Sequence, residues 1–419
     1  MNSRTTTERT GLVSVSPLFV GLALLMVGNG LLGSLLGIRA SIEGFPTVVI
    51  GIIMAMHYAG FLVGSLTIPR WLSTVGHIRV FAGLAAFAAA AALAYPLFVT
   101  PIVWGLFRFV AGFSMSGLYV TVESWLNDRA SNATRGRLLA VYMLVVTLGL
   151  SLGQILLGAS DPAGGRLFMW VGILITLSIV PIALIPIPAP SRPIPVSFSP
   201  RALANSAPLG IVAVALAGAA GSSVLGLGAV YATDIGMSPS EVGLFMAFSL
   251  LGAVVTQYPI GWLSDRFARR TVILAVAAAA VAVSGMAISL NSESVGLFVL
   301  MSVYGSLTFP MYSLGVSAIN DLIEDDQLVV VAAGIVFVYG IGSVAGPLVV
   351  SILMAVIGPA GYHWGLGAFF LPVAVYALIR GISQVRPIQR RFVNLPARSS
   401  TAAALLAQSS SDGADAETE

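Results

Sequence analysis

Long apolar stretches alternate with short polar joints twelve times along the 419 residues. The stretches cover 17–38, 46–69, 80–98, 101–126, 137–159, 167–188, 207–232, 239–263, 271–290, 294–319, 328–357 and 361–382. Each has enough residues to cross a hydrocarbon core of about 30 Å as a helix. Lipid offers no hydrogen bonds, so every backbone polar group in these stretches must be satisfied within its own segment, which predicts helices. A barrel is excluded because the apolar positions run continuously and do not alternate. The pattern predicts an all-α integral membrane protein with twelve transmembrane helices.

The second six stretches repeat the first six. Gly112, Tyr119, Ser124, Asn127, Asp128, Ala140, Gly149 and Gly153 recur 193 positions later as Gly305, Tyr312, Ser317, Asn320, Asp321, Ala333, Gly342 and Gly346. Gly51, Met54, Ala55, Gly60 and Val63 recur at an offset of 192, and Trp71-Leu72-Ser73 recurs at 191 as Trp262-Leu263-Ser264. A period this long is no solenoid. Two copies of a six-helix unit in one orientation form two pseudo-symmetric bundles, 16–189 and 207–383, the parallel-repeat plan that binds a solute between halves. Small residues spaced by four, such as Gly60 and Gly64 or Gly149 and Gly153, allow close helix approach without any ligand. Ser238-Pro239-Ser240-Glu241 reads as a capping box opening the eighth helix, a structural use of Glu241.

Charge sets the expected orientation. All 20 basic residues are Arg, and 17 of them fall on one set of joints if the N-terminus is inside, leaving Arg39 and Arg166 outside and Arg108 within a span. This asymmetry predicts both termini in the cytoplasm. Residues 1–15 form a cytoplasmic start, and the first span reads as a retained helix rather than a cleaved signal. Residues 190–206 form a Pro-rich cytoplasmic linker. The tail 384–419, rich in Ala, Ser and acid, is expected to be largely disordered. With 57% hydrophobic and 9% charged residues, the net charge of +3 implies no nucleic-acid partner. The absence of Cys removes disulfides, thiol catalysis and thiolate metal sites together.

Arg108 is the ionised basic group inside a span, and a charge at that depth costs about 2.5–3.5 kcal/mol even on insertion scales. It holds an anionic group in a cavity or tunes a protonating partner; the bland alternative is a structural Arg, paired with a neighbouring helix or snorkelled outward. Gly112, Met115 and Tyr119 share its stripe. Glu123 lies 15 residues on, about 22 Å along the helix, too far to pair with Arg108. Beside it stand Asp128, Arg129, Arg135 and Arg137, an ion-pair cluster or a gate. His57 sits mid-helix, where an imidazole with an ordinary pKa of about 6.5 is suited either to proton exchange or to plain hydrogen bonding. Asn29, Gln154, Gln257, Tyr304, Tyr312 and Tyr339 are further intramembrane polar side chains, lining a translocation path or stapling helices. Tyr119 and Tyr312, related by the repeat, are expected to face one central cavity.

GWLSDRFARR at 261–270 resembles the loop signature of the major facilitator superfamily, with Asp265, Arg266, Arg269 and Arg270 matching and Ala268 in place of a Gly. The first-half counterpart RWLSTVGHIR at 70–79 carries Thr74 where the Asp would stand. Arg108-Phe-Val-Ala-Gly112 resembles the Arg-x-x-x-Gly element of the fourth helix, which implies solute or proton handling at Arg108. GSVAGP at 342–347 resembles the Gly-Pro element of drug antiporters, displaced to the eleventh helix. VGHIR at 75–79, ESWLN at 123–127, RGR at 135–137, Tyr142-Met143 and Gly153-Gln154 together resemble the bacterial YcaD-like branch. The resemblance covers 15–385 and implies a monomeric secondary transporter of the bacterial inner membrane. It is expected to move a small-molecule solute by alternating access with protons, gated by Glu123, Asp128, Arg135, Arg137, Asp265, Arg266, Arg269 and Arg270, without cofactor or metal.

Two other classes compete. A non-transporting receptor or scaffold on the same bundle sits poorly with so many intramembrane polar residues and no extramembrane domain. An intramembrane enzyme would need a nucleophile with a base or a metal cluster, and His57, His77 and His363 are scattered without ligand spacing. No Walker-type loop is present, so ATP is not the energy source.

Overall fold

A computed structural model describes residues 2–129, 134–184, 207–290, 294–322 and 328–379. The linker 190–206 and the tail 384–419 lie outside them, as does the side chain of Arg135. The helices are α1 (Asn2–Ile42), α2 (Thr47–Val75), α3 (His77–Ala94), α4 (Pro101–Arg129), α5 (Arg135–Ile155), α6 (Arg166–Leu177), α7 (Pro208–Asp234), α8 (Pro239–Arg266), α9 (Arg269–Ala287), α10 (Val295–Asn320), α11 (Leu328–Ile357) and α12 (Gly361–Ile379). A short helix, Ile179–Ala183, prolongs α6 after Ser178. Among the described residues, twelve helices are long and apolar enough to cross a membrane. Large apolar side chains such as Phe87, Ile102, Val299 and Leu378 point outward, the surface that lipid requires.

Two boundaries differ from the sequence reading. Helix α1 begins at Asn2 rather than near 17, because hydropathy marks the membrane crossing and not the hydrogen-bonded helix that continues beyond it. The joints carrying the loop signature are almost absent: Gly76 alone separates α2 from α3, and only Phe267 and Ala268 separate α8 from α9. Trp71, Asp265, Arg266, Arg269 and Arg270 are therefore helical residues.

The repeat holds in three dimensions. Both halves close their first turn alike: Phe45 N–H reaches Ala40 O at 3.0 Å, and Met237 N–H reaches Ala232 O at 3.0 Å, across Gly44 (φ 73°) and Gly236 (φ 89°). Only glycine adopts that left-handed cap freely. Ser238 then caps α8 in the expected box, its N–H donating to Glu241 Oε2 at 2.8 Å. Within each half α2 packs on α4 and α1 on α5, matched by α8 on α10 and α7 on α11. The halves meet through α2 with α11, α5 with α8, and α1 with α7.

Candidate functional site

A Cβ on Gly112 would press into the carbonyl oxygen of His57, and one on Gly60 into that of Phe109, so α2 and α4 run backbone to backbone. Gly305 against Ser249 and Gly252 against Ser302 repeat this in the second half. The close approach sets His57 beside Arg108, one turn before Gly112. Both are buried, and both line a small cavity of about 30 Å³ together with Asn29, Gly30, Gly33, Tyr58, Leu150, Gln154 and Leu225. Arg108 is only 4% exposed, with Nη2 3.5 Å from Met54 Sδ, so it turns inward and does not snorkel. Four of the residues singled out in the sequence, Asn29, His57, Arg108 and Gln154, thus converge on one place. Leu225 brings α7 of the second half to it, and Tyr58 O–H donates across the halves to Ser222 O at 3.5 Å.

Gln154 links this cavity to the closed end of the bundle. Its side-chain Oε1 accepts from Ser34 Oγ of α1, while its backbone carbonyl lies where Gly243 of α8 leaves room for it. The repeat supplies the mirror contact: Gly51 of α2 faces Pro347 O and Ser351 of α11. Ser240 sits against Gly158 at the same end. Toward the end bearing the start of α1, α5 and α8 instead border a cleft of about 530 Å³, lined by residues including Thr147, Gln257, Tyr258, Trp262 and Asp265.

The other singled-out residues disperse. Gln257 and Asp265 line the cleft. Tyr339 lines a small cavity with Tyr58, Phe61 and Leu62, and Tyr312 packs edge-on against it at 5.0 Å. Tyr119 donates to Met26 Sδ at 3.0 Å and lies against Phe61, so the symmetric tyrosines do not line one common cavity among those described. Tyr304 donates to Leu366 O at 3.2 Å, stapling α10 to α12 inside the second half. Glu123 is buried and accepts from Tyr142 O–H at 2.7 Å. Asp128 pairs with Arg129 at 3.7 Å, and Arg137 is exposed. Arg266 stacks over Trp262 at 4.1 Å, and Arg270 donates to Ala377 O at 2.5 Å, capping α12. Arg269 is held by Asp321. Sequence reasoning did not single out Ser34, which holds Gln154, Tyr58, which lines the cavity, or Asp321 as the partner of Arg269; of these only Asp321 carried a signal, as the repeat equivalent of Asp128.

The profile of the Major Facilitator Superfamily matches 209–407, and that of the sugar (and other) transporters matches 3–187. An uncharacterized MFS-type transporter of Yersinia pestis (strain Pestoides F) is 30% identical over 340 residues, covering 80% of this chain and 88% of that protein. The chain belongs to the major facilitator superfamily. Within it, the MFS-type transporter YcaD of Escherichia fergusonii is 28% identical over 365 residues, covering 86% of this chain and 92% of that one. The fold is that of the nucleoside transporter NupG, a point mutant of which gives a TM-score of 0.78 at 12% identity over 88% of this chain and 100% of the other. It is also that of an inward-facing bacterial homolog of the human lysosomal transporter Spinster, at 0.68 and 14% over 96% and 97%. A superfamily transporter, multi-pass in the membrane, is what the sequence predicted.

Proposed function

We propose that this protein carries a small organic solute across the bacterial inner membrane by alternating access, coupled to protons, with both termini cytoplasmic. The observation that carries the reading is Gln154, which lines the cavity while its backbone carbonyl lies in the seam with Gly243. A ligand that moves this residue acts on the closed end directly, which is how binding energy biases a two-state equilibrium. His57 beside Arg108 is the proton-exchanging group. Asp265 at the cleft, with Glu123 and the neighbouring arginines, forms the gate at the open end.

The Cys-free chain makes the test clean. Single cysteines at Ser240 (closed end) and Thr147 (open end) are labelled with a thiol reagent, in the native background and with Gly51→Trp to wedge the seam. Alternating access requires reciprocal change: Ser240→Cys gains reactivity as Thr147→Cys loses it. A static scaffold gives no reciprocity. Proton coupling requires the native pattern to change between about pH 5 and 8 and His57→Gln to remove that change. Asp265→Asn should shift the pattern at normal membrane expression.

A further inference from the structure

Taking the protein as a transporter, as proposed above, we infer that its solute is an uncharged, drug-sized amphipath that enters sideways, out of the cytoplasmic leaflet, through the cleft between α5 and α8. The two seams between the halves give the reason. Repeat-equivalent faces meet in both, yet one is shut and the other open. In the seam of α2 with α11, Tyr58, Phe61, Leu62, Val336 and Tyr339 leave a gap of about 10 Å³, and a Cβ on Gly340 would press into Leu62 Cδ1. In the seam of α8 with α5 the corresponding positions carry Leu250, Ala253, Val254, Met143 and Val146, with Thr147 in place of Gly340. The aromatic rings of Tyr58, Phe61 and Tyr339 have no counterpart there, and the glycine that admits Leu62 is gone. Side chains this small do not fill the space to interior density, and a cleft of about 530 Å³ remains.

The opening faces lipid. All residues lining the cleft lie on α5 and α8, and none comes from α1, α2, α7 or α11, the other helices through which the halves meet. They form one stripe on each helix, at spacings of three and four from Val254 to Asp265 and from Ala140 to Thr147. The α8 stripe is about 16 Å long, half of a hydrocarbon core of about 30 Å. With the termini cytoplasmic, that half is the inner one. Tyr258 is 81% exposed and Leu144 and Trp262 are each 44% exposed, on a flank shared with the outward-facing Leu148 and Val255.

Volume and lining set the class. Sites for drug-sized ligands run from about 300 to 1,000 Å³ and are mostly apolar with a few polar groups. Here Thr147, Gln257 and Asp265 stand among Met143, Leu144, Val254 and Trp262. A solute that reaches this depth through hydrocarbon must be uncharged, because an ionised group in the bilayer core is costly. The face of α5 then leads inward. Leu150 and Gln154, three and seven residues beyond Thr147, continue its stripe and line the small cavity that holds His57 and Arg108.

The test compares Gln257→Cys in the open seam with Ser65→Cys, 192 residues earlier in the shut one, in membrane vesicles treated with the lipophilic reagent N-pyrenylmaleimide. Gln257→Cys should react severalfold faster. Adding Thr147→Gly with Val254→Leu, which copies the contact of Leu62 with Gly340 into the open seam, should slow that reaction severalfold. N-phenyl-1-naphthylamine, neutral and lipid-soluble, should protect Gln257→Cys severalfold, and water-soluble glucose should not. Val255→Cys, on the outward side of α8, should show no protection by either. Equal reaction of Gln257→Cys and Ser65→Cys overturns the lateral opening, and this comparison stands even if the triple variant does not fold. Protection by glucose alone, or equal protection of Val255→Cys, overturns the solute class. So does no protection of Gln257→Cys, which makes the cleft a crevice for lipid tails only. Protection needs no conformational cycle, so the transport reading is judged separately. Reciprocal labelling of Ser240→Cys and Thr147→Cys without protection keeps transport and removes the amphipath; protection without reciprocity does the opposite.

Discussion

Arg269 and Asp321 form a buried bidentate pair, Nε to Oδ2 at 2.5 Å and Nη2 to Oδ1 at 3.1 Å, with 5% and 3% of their side chains exposed. Arg269 also donates to Ser264 Oγ at 3.1 Å, so it ties the start of α9 to the ends of α8 and α10. Removing one member of a buried pair leaves the other charge uncompensated, a cost of about 3–5 kcal/mol, whereas apolar replacement of both is often neutral. Asp321→Ala should therefore lower the melting temperature steeply, and Arg269→Met with Asp321→Leu should restore most of it. A loss under about 1 kcal/mol for Asp321→Ala would mean that the pair contributes position and not stability.

In the first half, His77 stands 192 residues before Arg269, with Nε2 3.0 Å from Ser124 Oγ. Asp128 is the equivalent of Asp321. His77→Arg should rebuild the second half's pair with Asp128. A double-mutant cycle of His77→Arg with Asp128→Ala should give a coupling of about 1 kcal/mol or more by thermal or denaturant melting. Strict additivity would show that the repeat does not extend to this contact.

Two classes of glycine should behave differently. Gly112→Ala and Gly305→Ala push a methyl into a backbone carbonyl of the same half, which overpacking makes destabilising by about 1–3 kcal/mol. Gly243→Ala pushes one into the seam between halves, where the molecule has a way out: separating that end. It should raise Ser240→Cys labelling with less loss of melting temperature than Gly112→Ala. Gly83→Ala, with open space around it, is the control.

Orientation is checked in intact cells. With cytoplasmic termini, Ser160→Cys, at the end of the 3-10 turn after α5, labels with an impermeant thiol reagent, and Thr74→Cys, at the end of α2, does not. The opposite pattern would invert the proposed topology.

The architecture was legible because its signals are local or periodic. Continuous apolar runs announce spans, and Gly112, Gly305, Asp128 and Asp321 hold a fixed register that needs no partner to be seen. The site was half legible. Arg108 and Gln154 stood out by polarity alone, as did Tyr304, yet what separates them is a contact from elsewhere: Ser34 lies 120 positions from Gln154, and Leu366 lies 62 from Tyr304. Rotation of a helix about its own axis decides which cavity a side chain enters, and with helices apolar nearly all round, no amphipathic stripe reports it. The loop signature led to Asp265, whereas the buried partner of Arg269 sits at the end of another helix.

The paired seam contacts also limit how the protein changes shape. Gly51 on Pro347 and Gly243 on Gln154 are the same contact generated twice by one pseudo-twofold relation. In the alternating access proposed above, tilting the halves apart about an axis across that twofold lengthens both contacts together, so the opening has in effect a single coordinate. Helices α2 with α4, and α8 with α10, locked through glycines, resist bending. In that proposal the molecule is a lever with one angle, which a solute entering beside Gln154 would read and set.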